Sequence, residues 1–413
     1  MDDSGNLCSP RDLLSSSRRF GAWLDREGIE SYDPYDIWGT RFGVWSRKIY
    51  YWRRWLGTPL VAPFVLLDLV WPSARRFFVA KQRFATADAQ VLLAFLNLYR
   101  VTREQAYLDK AIALGAEIMA YAIPGYRGPC WGYPFDWQNN RGPVWKRNTP
   151  YITCTPYCYE AFLALQAVTG QDKYRTIAAG IAEFVHADLR ETPTSPTAAA
   201  GSYSPHDSSK VVNTSAYRAF VLTDAARRFG RDDYARSANL NLAFVLESQR
   251  ADGSWQYTMD TPSNFIDNFH TCFNLKNLSK LNRILNRDDV RDSIRRGFDY
   301  YRAELFYPNG DPKSFAIEPR VQLARLEMYN FAEGITLGAL LADDLPGARA
   351  SAHQLARRLL GDFQLPDGHF VTRVFRGGIR HTFPFLRWPQ AQLFLAITNL
   401  LAASSPPQQG DRA

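Results

Sequence analysis

"ARRFGRDDYARSANLNLAFVL", residues 226–246, joins the end of one apolar helix to the start of an amphipathic one through a short polar turn. The phrase returns along the chain as "YRVTREQAYLDKAIALG" (99–115), "QAVTGQDKYRTIAAGIAEFV" (166–185) and "NRILNRDDVRDSIRRGFDYY" (282–301). A fainter copy is "LADDLPGARASAHQLARRLL" (341–360). The turns fall near Arg103, Gly170, Gly230, Asn286 and Asp344, in steps of 67, 60, 56 and 58 residues. Such a recurring unit marks a repeat architecture. Apolar residues at helical spacing, as in Ala178, Ile181, Phe184 and Val185, make the units helical, and convincing alternating strands are scarce.

Upstream of the turns lie partner helices, near 84–101, 153–168, 212–229, 267–285, 328–342 and 387–402. Five helices follow the turns, near 103–121, 171–188, 231–249, 287–305 and 347–361, and a sixth is expected near 11–26. Six pairs without polar capping repeats predict an all-α, closed (α/α)6 toroid rather than an open solenoid. The expected division is an irregular N-terminal segment over 1–83, the toroid over 84–403, and a disordered tail over 404–413.

The 413 residues carry a net charge of +8, and 11 Trp, 21 Tyr and 26 Phe make the chain aromatic-rich. The charge favours an anionic partner, and aromatics suit sugar-stacking clefts as well as cores. No compact basic helix or RNA-binding signature argues for nucleic acid. Cys8, Cys130, Cys154, Cys158 and Cys272 fit neither a disulfide framework nor a zinc spacing and read as free thiols. The N-terminus "MDDSGNLCSPRDLL" has no apolar signal core, so a cytoplasmic location is expected. "TPLVAPFVLLDLVW" (58–71) is too short to span a bilayer, and "RKIYYWRRW" and "ARRFF" flank it. It reads as a packed helix with a basic edge. The other reading rests the 47–83 region on an inner membrane surface.

The loop "QRADGSW" (249–255) fits a Gln-x-x-x-Gly-x-Trp turn, and "QLPDGHF" (364–370) is a relaxed copy. Such turns resemble those of α/α-toroid proteins: terpene cyclases, toroidal glycoside hydrolases, polysaccharide lyases and uronyl epimerases. With "SYDPYDIWGTRFG" and "FIDNFHTCFNL", the chain is similar to toroid proteins associated with bacterial exopolysaccharide and O-antigen biosynthesis. The resemblance implies the fold more firmly than any activity, because this fold hosts many chemistries.

In a toroid the inner helices point their N-termini at one mouth, where unsatisfied N–H groups suit anionic or hydroxyl-rich ligands. The inner-helix starts here are polar beyond what caps require. Candidate catalytic residues are Asn213 and Tyr217, then Asp267, Asn268 and His270, then Tyr329 and Glu333, with Asp267 also the expected cap of its helix. Candidate substrate-binding residues at helix starts are Tyr157, Asn330, Arg387 and Trp388. The loop "GPCWGYPFDWQNNRGPVWKRNTPY" (128–151) adds Trp131, Tyr133, Asp136, Trp137, Arg141, Trp145 and Arg147. Trp255, Arg376 and Arg380 come from later loops, and His206 sits on a Ser/Gly-rich loop expected to act as a lid. A packed Ω-loop and a core histidine are the structural alternatives for the 128–151 loop and His270.

Three chemistries could use this mouth. Elimination or C5 epimerisation at a uronic acid needs an Asn or Arg at the carboxylate, a His or Tyr base and a Tyr acid, a set implied by the resemblance to toroidal lyases. Glycoside hydrolysis needs two facing carboxylates, for which Asp267, Glu327, Glu333 and Asp136 are candidates. Isoprenoid cyclisation needs an aspartate-rich motif, and none is present. A non-catalytic glycan-binding or scaffold role completes the set. The sequence favours uronyl epimerase or lyase chemistry on an anionic bacterial glycan or its lipid-linked precursor. No cofactor is expected. No metal is expected either, although Asp267 with Glu333 stays open as a ligand pair.

Overall fold

Four of the five turns end a helix in the left-handed conformation, at Arg103, Gly170, Gly230 and Asn286. Each cap N–H donates to the carbonyl four residues back, which satisfies the last turn. Glycine adopts this conformation without a Cβ penalty and Asn tolerates it, which is why three of the four could be read from residue type. The computed structural model describes residues 8–138, 142–261, 265–318 and 322–405. Residues 406–413 of the expected tail lie outside them.

The helices ending at these caps are α4 (Ala85–Thr102), α6 (Thr155–Thr169), α8 (Val212–Phe229) and α10 (Asn268–Leu285). With α12 (Met328–Leu340) and α14 (Ala391–Ser404) they form an inner ring, each packed on the next and α14 closing on α4. Helices α5 (Gln105–Ala120), α7 (Asp172–Ala187), α9 (Asp232–Glu247), α11 (Asp288–Glu304) and α13 (Ala348–Asp362) lie outside. Helix α1 (Pro10–Glu27) packs on α14 and supplies the sixth outer position.

The two Gln-containing turns prove this equivalence. The Gln249 side-chain amide donates to Gly253 O at 2.9 Å and to Ser293 O on α11 at 3.0 Å. Gln364 donates to Gly368 O at 2.9 Å and to Ser16 O on α1 at 3.1 Å. A Cβ on Gly253 would lie 2.3 Å from Arg296 O, and one on Gly368 would lie 2.3 Å from Arg19 O. Thus α1 meets the last turn as α11 meets the earlier one.

Inner helices are enclosed on every side, so they lack a single apolar stripe; residues Val212 to Ala225 of α8 are all buried. The loops before the inner helices carry short strands that the sequence did not reveal. These are β1 (Glu191–Pro193) with β2 (Ala199–Gly201), β3 (Ile266–Asp267) with β4 (Phe315–Ile317), and β5 (Ala324–Glu327) with β6 (Arg373–Phe375) and β7 (Arg380–His381), all antiparallel. The last inner helix starts at Ala391 rather than near 387, because the chain is extended at Trp388 (φ −144°, ψ 89°).

Between α1 and α4, α2 (Arg41–Trp52) and α3 (Arg54–Val70) form a hairpin beside the mouth. Buried charges tie it down. Arg75 pairs with Asp68 and, at 2.8 Å, with Asp36, while Arg373 reaches Asp68 at 3.3 Å. The five cysteines are buried free thiols. No helix among the described residues is long and apolar enough to cross a membrane.

Candidate functional site

The inner-helix starts and their loops enclose a cavity of about 380 Å³ at the mouth of the ring. Its wall is dominated by aromatic side chains from most of the repeats, including Tyr35, Tyr133, Trp137, Tyr203, Tyr217, Tyr257 and Trp388. The Tyr329 and Trp388 rings stack at 3.8 Å, only 5° from parallel. Flat apolar faces with hydroxyl edges are what a sugar ring needs for stacking and hydrogen bonding.

His270 faces this cavity from the first turn of α10. Asp267 does two jobs beneath it. One carboxylate oxygen accepts from the His270 backbone N–H at 3.1 Å, capping the helix. The other lies 2.7 Å from Nδ1 of the imidazole. Asp267 is almost fully enclosed, and in the neutral imidazole such an acceptor favours the proton on Nδ1 and the lone pair on Nε2. That is the tautomer of a general base.

The neighbouring tyrosines have the opposite character. Burial pushes the Tyr217 and Tyr329 hydroxyls well above their usual range, so both stay protonated and act as donors. Asn213 is 1% exposed and lines the cavity, and neither its amide nitrogen nor its oxygen has a partner. A buried amide left unmatched costs about 1–3 kcal/mol, which a ligand's polar groups would recover. Arg387 is held by Asp33 through Nε at 2.5 Å and Nη2 at 2.9 Å, and its guanidinium lies 4.7 Å from the Tyr133 ring centre. Asp33 does not engage its Nη1.

A second cavity of about 700 Å³ adjoins the first and shares Tyr35, Phe269 and Trp388 with it. Apolar residues of α3 form one side, and Glu327, Asn330 and Arg373 form the other.

Of the residues singled out in the sequence, the first cavity gathers Tyr133, Trp137, Trp145, Tyr157, Asn213, Tyr217, His270, Tyr329, Arg387 and Trp388. Asp267 stands behind His270, and Asn330 borders the second cavity. The others lie elsewhere, for physical reasons. Asn268 is enclosed, donates to Leu305 O at 3.3 Å and accepts from the Tyr301 hydroxyl at 3.5 Å, so it fastens α10 to the end of α11. Glu333 is fully buried against Lys276 at 2.5 Å and accepts from Gln392. Trp131 and Trp255 are wedges under their loops, their indole N–H groups donating at 2.9 Å to Ile118 O and Val245 O.

Asp136 accepts from the Arg147 backbone at 2.9 Å and lies 3.3 Å from Lys146, while the Arg147 side chain donates to Pro134 O at 3.1 Å. These three hold their own loop together. Arg376 borders a separate surface hollow, and Arg380 donates to Asp362 O at 3.0 Å. Arg141 lies outside the described residues. The 201–210 loop, expected as a lid, is pinned by Asp207, which accepts from the backbone of Tyr203, Ser204 and Ser209.

Of the carboxylates considered for hydrolysis, Asp267 stands behind His270, Glu327 borders the second cavity, Glu333 pairs with Lys276 and Asp136 faces its own loop. Asp260 is the one carboxylate among the described residues lining the first cavity. Among the described residues no group of three His, Cys, Asp or Glu side chains could hold a metal ion.

No family model and no curated protein sequence matches the chain. Solved structures do match it in shape. An unsaturated glucuronyl hydrolase specific for heparin superposes with a TM-score of 0.62 at 9% identity, over 96% of this chain and 97% of that one. A cellobiose 2-epimerase from Bacillus thermoamylovorans gives 0.60 at 12% identity, over 78% and 87%. A polysaccharide lyase gives 0.53 at 13% identity, over 77% and 89%. The fold is the (α/α)6 toroid, which these carbohydrate-active neighbours share. At these identities the likeness establishes the fold alone.

Proposed function

We propose that the chain is an enzyme that modifies a uronic-acid-containing bacterial glycan, or its lipid-linked precursor, by removing the proton at C5. The observation that carries this reading is the His270–Asp267 pair at the wall of an aromatic cavity. The C5 proton is acidified when the neighbouring carboxylate is neutralised, because the charge then moves into an enolate that donors can hold. The Asn213 amide and Nη1 of Arg387 are suited to that carboxylate. His270 Nε2 takes the proton. The protonated hydroxyl of Tyr217 or Tyr329 then delivers one, either to the opposite face of C5, which inverts the centre, or to the departing O4, which cleaves the chain.

Exopolysaccharide or O-antigen synthesis, on the cytoplasmic side of the membrane that carries lipid-linked glycans, is the setting this reading implies. Hydrolysis is the second reading. Its support is Asp260, a carboxylate lining the first cavity.

Product analysis after incubation with glucuronate-, mannuronate- and galacturonate-containing glycans tests the proposal. Inverted C5 in an intact chain, or an absorbing 4,5-unsaturated end, is the expected product. New reducing ends without unsaturation would instead establish hydrolysis.

A further inference from the structure

Residues 41–83 contain nine Lys or Arg and a single Asp, a net +8 equal to that of the whole chain. The rest of the molecule is therefore balanced, and the positive charge is concentrated on the α2–α3 hairpin and the turn after it. The one acid, Asp68, faces inward onto Arg75 and Arg373. Arg41, Lys48, Arg53, Arg54, Arg76 and Lys81 are exposed.

The same segment holds eleven of the fifteen large hydrophobic side chains exposed among the described residues. Trp52, Trp55, Val70, Trp71, Phe77 and Phe78 are each more than half exposed. A soluble surface keeps such residues scattered, and their concentration marks a contact face. Trp with Arg is the pairing that rests at a lipid headgroup boundary, the ring in the acyl edge and the cation on phosphate.

We infer that the α2–α3 hairpin docks on an anionic lipid bilayer, and that the second cavity beneath it admits the lipid-proximal end of the substrate. A second copy is a poor occupant, since two such faces would bring six exposed cations against six. The chain segments outside the described residues, such as "PPQQGDRA" at the end, lack the apolar side chains to cover the face. The second cavity is walled by Val61, Val65, Leu66 and Leu69 of α3 and shares Trp388 with the first cavity. The two cavities adjoin at Tyr35, Phe269 and Trp388, and His270 lines the first. The docking does not depend on the chemistry proposed above; the substrate's lipid linkage does.

Flotation of the full chain with phosphatidylcholine vesicles, with and without phosphatidylglycerol, tests this. Flotation is expected only with phosphatidylglycerol present, and high salt should release it. Arg53→Gln/Arg54→Gln should weaken partitioning roughly thirtyfold. Trp52→Ser/Trp55→Ser should weaken it at least about tenfold. These side chains are exposed, so Tm should not move, which separates lost docking from lost folding. Failure of the wild type to float, equal flotation on neutral vesicles, or undiminished flotation of the Trp variant would overturn the inference. So would a dimer in gel filtration that the Trp variant abolishes while vesicles are ignored. Vesicle binding without C5 chemistry would leave the dock standing and remove only the proposed reaction.

Discussion

At the residue scale the proposed chemistry turns on how Asp267 divides its two oxygens. An Asn in its place can still cap α10 with its one oxygen, since Asn and Asp cap about equally. Its NH2 would then face Nδ1 and force the proton onto Nε2, removing the base. Asp267→Asn should therefore lose at least about a hundredfold in turnover while Tm changes little. Steady-state rates on a responsive glycan, measured beside thermal melts, check this. The sequence singles out His270 and Asp267 as catalytic candidates and Asp267 as a cap, without joining the carboxylate to the imidazole. It could not rank the loop aromatics: Trp131 and Trp255 look like sugar platforms, yet their indoles are spent on backbone carbonyls. Asp33 and Tyr35 stood in the quoted "SYDPYDIW" motif without a role, because their partner, Arg387, is 354 positions away in the chain.

At the scale of elements, the turns are legible from the repeated phrases, and Gly or Asn at three of the four left-handed caps suits that conformation. The short strands are not legible, since two to four residues are too few to display alternation. The Gln turns carry the most structural information per residue. Gln364 donates to carbonyls on its own turn and on α1, which closes the ring. Gln364→Ala should leave both carbonyls short of a donor and cost about 1–3 kcal/mol. Gly253→Ala, at φ 90° and with Arg296 O in the way, should cost at least as much. Denaturant melts of both variants measure the losses, and an unchanged midpoint for Gln364→Ala would refute the closing role of that turn.

At the scale of the whole molecule, twelve helices in two rings bury polar groups that a small domain would expose. Asp88, near the start of α4, is fully enclosed with Arg83 and the Tyr121 hydroxyl as partners. Burial outweighs both and lifts its carboxyl to about 6, from 3.8. The folded chain therefore keeps a proton on Asp88 that the unfolded chain has released between those values. Its contribution to stability grows as pH falls through 6 and is complete below 3.8. Asp88→Asn removes that dependence. The Tm of the wild type relative to the variant should rise by a few degrees between about pH 7 and about pH 4.5. A pH-independent difference would show that Asp88 does not titrate in this range.

The same architecture gathers the first turns of distant helices around His270, and the proposed proton transfer depends on that gathering. Release of tritium into water from a uronic-acid glycan labelled at C5 reads the transfer directly, whether the outcome is inversion or elimination. The wild type should release tritium, and His270→Ala should lower the rate by at least about a hundredfold. Cleavage of the glycan with the tritium still on C5, or undiminished release by His270→Ala, would contradict the account.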